Sequence, residues 1–206
     1  MGGTGRILDT LIFSGGSVMD RSEELIARAR RGDAEAFERI FEEHHRFVYR
    51  FLYSMVGDAP RAEELTQETF LRAYRGLDGL QGAAKLSTWL CGIARNTALN
   101  EIRSRRKERG NVSVDEIAAV AADDRATAPD QHMLSSELGR VIRTALDRLD
   151  EDKRAVFTLK VLQQKSYDEI AAITGSSVSK LKTDLHRAKA DMRRTLRPYV
   201  EASDDV

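Results

Sequence analysis

Apolar residues in this chain recur at three- and four-residue spacing, and no segment shows the two-residue alternation of a strand. Phe37, Ile40, Phe41, His44, Val48, Phe51, Leu52 and Met55 trace one face of a long helix beginning near Ala34. Asp33, after Gly32, is suited to cap its start, and Gly57 ends it. Asp58 caps a further helix with Pro60 in its first turn, where the missing N–H costs nothing, and that helix runs to about Leu77. Residues 78–86 contain two glycines and read as a loop, after which Ser87 can cap a helix reaching about Glu108. Between Gly110 and Gln131 the periodicity dissolves, and Asp115, Glu116, Asp123, Asp124 and Asp130 stand against Arg125 alone. Order returns near Leu134. Leu138, Val141, Ile142, Ala145 and Leu149 form one stripe, and Ala155, Val156, Leu159 and Leu162 form another. Ser166 with Glu169 makes a capping box, Gly175 closes that short helix, and a last helix runs from about Val178 to Leu196, before Pro198.

The pattern predicts an all-α protein of two small helical domains, about 22–109 and 134–200, joined by a flexible acidic linker over 110–133. Residues 1–21 read as a disordered extension and 201–206 as a tail. A length of 206 residues suits that division. Cys91 is the only cysteine, which excludes an internal disulfide and a multi-cysteine metal site. No apolar run approaches the roughly 20 residues a membrane-spanning helix needs, so no membrane insertion is expected. The N-terminus lacks the charged start and apolar stretch of a secretory signal, and the expectation is a soluble cytoplasmic protein.

Lysine plus arginine balances aspartate plus glutamate at 33 each, which taken as a total argues against a nucleic-acid partner. The distribution changes that picture. Seven basic residues between Lys85 and Arg109 face only Glu101 and Glu108, and seven between Lys180 and Arg197 face only Asp184 and Asp191. Two separated basic stretches fit phosphate contact in two places, and they fit equally two solvated helix faces.

The stretch from Ser166 to Arg194 has the layout of a helix-turn-helix, with Gly175, Ser176 and Ser177 in the turn. Val178, Leu181, Leu185 and Met192 anchor its second helix, leaving Lys180, Lys182, Thr183, His186 and Arg187 outward. Structural helix pairs share this layout. Three blocks taken in order are more specific: Glu64 to Tyr74 (ELTQETFLRAY), then Ser87-Thr88-Trp89-Leu90 with Ile93-Ala94-Arg95-Asn96, then the helix-turn-helix. In order and spacing they resemble the extracytoplasmic-function group of bacterial RNA polymerase sigma factors, and the resemblance covers roughly residues 22–197.

That resemblance implies a protein that binds core RNA polymerase, brings it to promoter DNA and promotes strand opening. It implies that the first domain, sigma domain 2, docks on the polymerase clamp and handles the minus-ten element. Sigma domain 4 would then read the minus-thirty-five element. Glu64, Gln67, Glu68 and Leu71 match the polymerase-docking helix, though a Glu-rich solvated face reads the same way. Lys85, Trp89, Asn96, Asn100 and Arg103 match the minus-ten and melting region. Trp89 reads equally as a core aromatic, whereas mid-helix asparagines have no propensity reason to be there. Residues 80–86 match the loop that captures a flipped base, but Leu86 stands where the family has an aromatic and no acid follows Gly82. Lys180, Lys182, Thr183, His186 and Arg187 match the minus-thirty-five region. Asp184 departs from the basic residue usual there; it suits a pair with Lys180 or Arg187 one turn away better than a hydrogen bond from a cytosine. The linker is expected to enter a polymerase channel, and an anti-sigma factor completes the partners the family implies.

His44 and His45 point to different helix faces and lack further ligands, so no metal or other cofactor is expected. His44 reads as core-facing and His45 as solvated, and Cys91 as a buried, inert thiol. An autonomous helix-turn-helix regulator ordinarily dimerises, and no dimer helix or ligand domain is apparent. An enzyme would show a nucleophile–base pair or a phosphate loop, and neither a catalytic residue nor a small-molecule substrate site is evident. An adaptor binding only proteins leaves the two basic helices unexplained. Residues 1–18 are glycine-rich without helical phase, and Met19 precedes the first family-like residues. Deleting 1–18 is therefore expected to leave promoter-directed transcription intact in a reconstituted assay; a large loss would refute the reading.

Overall fold

A computed structural model describes residues 22–80, 86–110 and 137–203, which are helical apart from short turns, with no strand among them. Helix α1 (22–30) leads through Gly32 to α2 (Ala34–Val56). Asp33 caps α2 by accepting from the Ala36 amide at 3.2 Å, and Arg28 grips its other oxygen at 2.7 Å, so one carboxylate fixes the corner between the helices. Gly57 ends α2 in the left-handed region, φ 76°, donating its N–H to the Tyr53 carbonyl. Asp58 then caps α3 (Ala59–Gly76), which closes through a tight turn at Leu77–Gly79. Next come α4 (Leu86–Gly110), α5 (Glu137–Asp147) and α6 (Glu151–Phe157), the last widening into a π-turn over Thr158–Leu162. The capping box of Ser166 and Glu169 opens α7 (Tyr167–Thr174), and α8 (Val178–Ser203) follows the left-handed Gly175.

Three local expectations change. Helix α4 begins at Leu86, so Ser87 lies inside it and is not its cap; the Ser87 hydroxyl instead accepts from Lys165 at 2.9 Å. Leu162 is 51% exposed although the periodicity placed it on a buried stripe, because the extra residue per turn of the π-turn shifts the phase after Leu159. Helix α8 does not stop at Leu196 but continues through Pro198, whose missing N–H removes one helical bond with only a turn left to run.

Helices α2, α3 and α4 pack pairwise around Ile40, Phe51, Leu52, Leu65, Phe70 and Leu90. Helices α5, α6 and α8 enclose Ala145, Leu149, Val156, Leu159, Leu181, Leu185 and Met192. Each large side chain so buried contributes about 1.5–3 kcal/mol, so this core, continuous across both sets of helices, outweighs the caps. The expected tether between the units lies outside the described residues, but the units themselves touch. Helix α7 contacts both α4 and α8, and the end of α2 meets α6 and its π-turn. Along this seam the buried hydroxyls of Ser54 and Thr158 lie 3.0 Å apart. Arg143 donates to the carbonyls of Tyr53 (2.7 Å) and Ser54 (3.0 Å), Arg154 to that of Met55 (2.7 Å), and Gln163 to that of Phe47 (3.1 Å).

Gly57 serves both its own helix and the seam. A Cβ there would stand 3.0 Å from the Arg143 guanidinium, and the backbone is left-handed. Gly57→Ala is expected to destabilise the fold by about 1–2 kcal/mol from the backbone conformation, and further through Arg143. Thermal unfolding of the variant beside the parent measures it; an unchanged midpoint would contradict the account.

Candidate functional site

On α3, Glu64, Gln67, Glu68 and Leu71 follow the three-four-seven spacing of a single helix face. Glu64, Gln67 and Leu71 are exposed and Glu68 partly so. Leu71 is 57% exposed, so it faces outward, and Tyr74 follows at 46%. Tyr74 was not singled out from the sequence, although its position three residues after Leu71 is the signal that places it on the same face. The strip is less negative than its residues suggest, because Arg61 pairs with Glu64 and Arg72 with Glu68, each at 2.5 Å.

Helix α4 presents three faces. Leu90, Ala94, Thr97 and Ala98 are buried against the first core, and Asn96, Asn100 and Arg103 are exposed. Trp89 takes part in both alternatives open to it. It is half-buried on the core, with its ring against Gly76, and also lines a cleft with Leu80, Thr88, Gly92 and Asn96. The far wall of that cleft is α7, through Asp168, Glu169, Ala172 and Ile173. The one acid in the middle of the basic stretch is structural: Glu101 accepts from Arg61 and Arg105, each at 2.5 Å. The Arg61 hydrogen bond, more than Arg105, holds its carboxyl below the usual carboxylate range against the effect of burial. Lys85 and the loop 81–85 lie outside the described residues.

On α8, Lys182, Thr183, His186 and Arg187 are exposed along one face. Lys180, also exposed, is neutralised within the chain: its ammonium lies 2.6 Å from Asp184 and 3.6 Å from Asp152. The Asp184 hydrogen bond, ahead of the other charges, raises the Lys180 pKa. Asp184 itself is buried, so its pairing is with Lys180 and its carboxylate does not reach out from the helix. The Lys182 ammonium rests 5.7 Å from the centre of the Tyr167 ring at the start of α7.

Among the described residues no group of His, Cys, Asp and Glu side chains is placed to hold a metal ion. Burial lowers the pKa of His44, as suits a core-facing ring. His45, expected in solvent, instead stacks on Phe41 with ring centres 5.1 Å apart, because one helical turn puts the two rings side by side. Cys91 is fully buried, and burial pushes its thiol up to about 12. Among the described residues no helix is long and apolar enough to cross a membrane.

Comparison with known proteins places both units. Residues 40–108 match the model of sigma-70 region 2, and residues 139–192 that of sigma-70 region 4. The ECF RNA polymerase sigma factor SigW of Bacillus subtilis is 30% identical over 84% of this chain and 95% of its own. The ECF RNA polymerase sigma-E factor of Escherichia coli is 32% identical over 85% and 94%. Among solved structures, CnrH in complex with the cytosolic domain of CnrY aligns with a TM-score of 0.63 at 25% identity, covering 84% of this chain and 96% of CnrH. The sigma factor RpoE of Bartonella quintana, in complex with the anti-sigma factor NepR, shares the fold at 23% identity and a TM-score of 0.62, covering 80% and 98%.

The burial of Cys91 has a direct chemical readout. In native protein near about pH 8 iodoacetamide should leave the thiol untouched, and unfolding in urea should expose it to complete labelling by mass spectrometry. Rapid labelling of the native protein would show the site to be open.

Proposed function

The chain belongs to the extracytoplasmic-function sigma factors, which direct RNA polymerase to promoters for transcription initiation, and on that premise we propose which of its surfaces performs each step. The exposed strip of Glu64, Gln67, Glu68 and Leu71 on α3 docks on the polymerase clamp. Trp89, Asn96, Asn100 and Arg103 on α4, with Lys85 ahead of them, engage the minus-ten region as it melts. Asparagine amides reach base edges, and the indole face stacks at the boundary of unpaired DNA. Lys182, Thr183, His186 and Arg187 on α8, with Lys180 at its start, hold the minus-thirty-five duplex in the major groove. One observation carries the reading. Helices α4 and α8 each bury an apolar side and keep polar and basic side chains outward, Asn96, Asn100 and Arg103 on the one and Lys182, Thr183, His186 and Arg187 on the other.

In this reading the factor performs no reaction. It contributes binding free energy and strand capture, works in the cytoplasm beside the polymerase and carries no cofactor. The domains run over 22–109 and 134–200, with the acidic linker 110–133 entering the polymerase. CnrH, similar to this chain over most of its length, is held by a protein partner, and an anti-sigma protein is included among the partners here on that likeness.

The three surfaces separate by which assay breaks. Gln67→Arg puts a cation on the docking strip and should weaken core polymerase pull-down while the fold survives. Lys182→Ala with Arg187→Ala should lower closed-complex affinity and flatten its salt dependence, by about one unit of log–log slope for each lost phosphate contact. Asn96→Ala with Asn100→Ala should leave both of those intact and abolish permanganate reactivity of unpaired thymines. An autonomous regulator would bind its site tightly without polymerase and ignore the Gln67 change. Strong specific DNA binding unaffected by core polymerase would sink the assignment of surfaces.

A further inference from the structure

Ion pairs between exposed residues one turn apart are common and individually weak, and Arg61 with Glu64 and Arg72 with Glu68 would pass as such pairs. The other arm of each guanidinium sets them apart. Arg61 also donates to Glu101 at 2.5 Å, and Arg72 to the Thr97 hydroxyl at 3.1 Å, both on α4. Those two groups are nearly out of solvent: the Glu101 side chain is 10% exposed and Thr97 is 2% exposed. Thr97 directly follows Asn96, and Glu101 directly follows Asn100. The face of α4 that the arginines hold is therefore one residue step, about 100°, from the face that carries the asparagines. Along α3, Arg61 and Arg72 bracket Glu64 and Glu68, so each arginine joins one acid of the docking strip to one handle on α4. The network is incompletely satisfied, because the Nε of Arg61 is buried with no hydrogen-bond partner among the described residues.

We propose that Arg61 and Arg72 are positioning residues, each shared between the docking strip and α4, that make promoter reading by Asn96 and Asn100 depend on occupation of Glu64 and Glu68 by the polymerase. The proposal rests on the assignment of α3 as the docking strip and of α4 as the promoter-reading helix. In the free chain each guanidinium divides its donors between two acceptors. A cationic surface arriving on the strip attracts the two carboxylates and repels the two guanidinium groups. The arginines then lose their competitor on α3 and close on Glu101 and Thr97. Those two groups lie one turn apart on one face of α4, so holding both fixes the roll of the helix and the direction of Asn96 and Asn100. Arginine suits the task, because its planar fork donates in two directions at once, whereas a lysine is a single point charge. By linkage, DNA held on α4 strengthens docking by the same factor.

The quantity to measure is the ratio of single-strand affinities of the full chain with and without saturating core polymerase. The probe is a fluorescent oligonucleotide carrying the non-template strand of a promoter selected in vitro with the parent holoenzyme, and core polymerase alone supplies the blank. Arg61→Lys with Arg72→Lys keeps a cation beside each acid and removes the second arm. Thr97→Val removes the acceptor of Arg72 on α4 with little change of shape. Both variants should keep the parent's strand affinity in the free chain and its core pull-down without DNA. The ratio should fall about fivefold or more in the lysine variant, and less far in Thr97→Val, where one of the two braces remains. An unchanged ratio in both would overturn the proposal. So would an equal loss of strand binding with and without core, which is the behaviour of a merely structural brace. Asn96→Ala with Asn100→Ala should weaken strand binding in both states. If that variant binds as the parent does, the assignment of α4 has failed and the coupling falls with it; if it weakens while the ratio in the other variants stays unchanged, the coupling alone has failed.

Discussion

A helix leaves its last carbonyls without partners of its own, and α2 ends in buried surroundings where solvent cannot serve them. Gly57 satisfies Tyr53 from within, but Tyr53, Ser54 and Met55 also receive guanidinium hydrogen bonds from the other unit. A cation suits the position, since these carbonyls carry the negative end of the helix dipole and a guanidinium reaches several acceptors at once. Arg154 extends this role to the carbonyls of Asp147 and Leu149, tying the end of α2 to the corner between α5 and α6. Burial disfavours the Arg154 charge and lowers its pKa, and Asp147 beside it partly offsets that effect. The relative placement of the two units follows from this junction: where α2 ends, α6 must begin to turn past it, and α7 then falls across α4.

The elements themselves were legible in the sequence because each announces itself locally. Asp33, Asp58 and Ser166 cap helices within three residues of the amides they accept from, and Gly57 and Gly175 end helices where the backbone turns left-handed. The seam had no such signature. Arg143 and Arg154 meet backbone carbonyls 90 and 99 residues away, and a carbonyl is the same at every position, so no residue pattern reports the pairing. The π-turn was hidden for a related reason: periodicity assumes a constant number of residues per turn, and one inserted residue turned Leu162 outward while leaving Leu159 inside. Leu71 and Tyr74 are a third case: with Phe70 and Ala73 buried, helical phase turns both outward, and neither facing was read from the sequence beforehand.

Charge placement explains how a chain of zero net charge presents two basic surfaces. The acids within the basic stretches are used internally. Asp184 turns inward to Lys180, and Glu101 is wedged between Arg61 and Arg105, so each neutralises one or two cations and Lys180 is the only one of them on the outward face. Outward-facing cations remain on both helices, among them Arg103 and Lys107 on α4, and Lys182, Arg187 and Lys189 on α8. Totals over a segment therefore say less than which side of the helix each charge occupies.

The seam does not treat the exposed stripe of α4 uniformly. Trp89 and Asn96 line the cleft against α7, whereas Asn100 and Arg103 lie one and two turns beyond it and are open to solvent. The packing of α7 on α4 thus walls one side of the stripe at Trp89 and Asn96 and leaves the end bearing Arg103 open to solvent. Phosphate contact needs only charge and access, and the open end has both. Stacking of a base on the Trp89 ring, by contrast, needs room between α4 and α7.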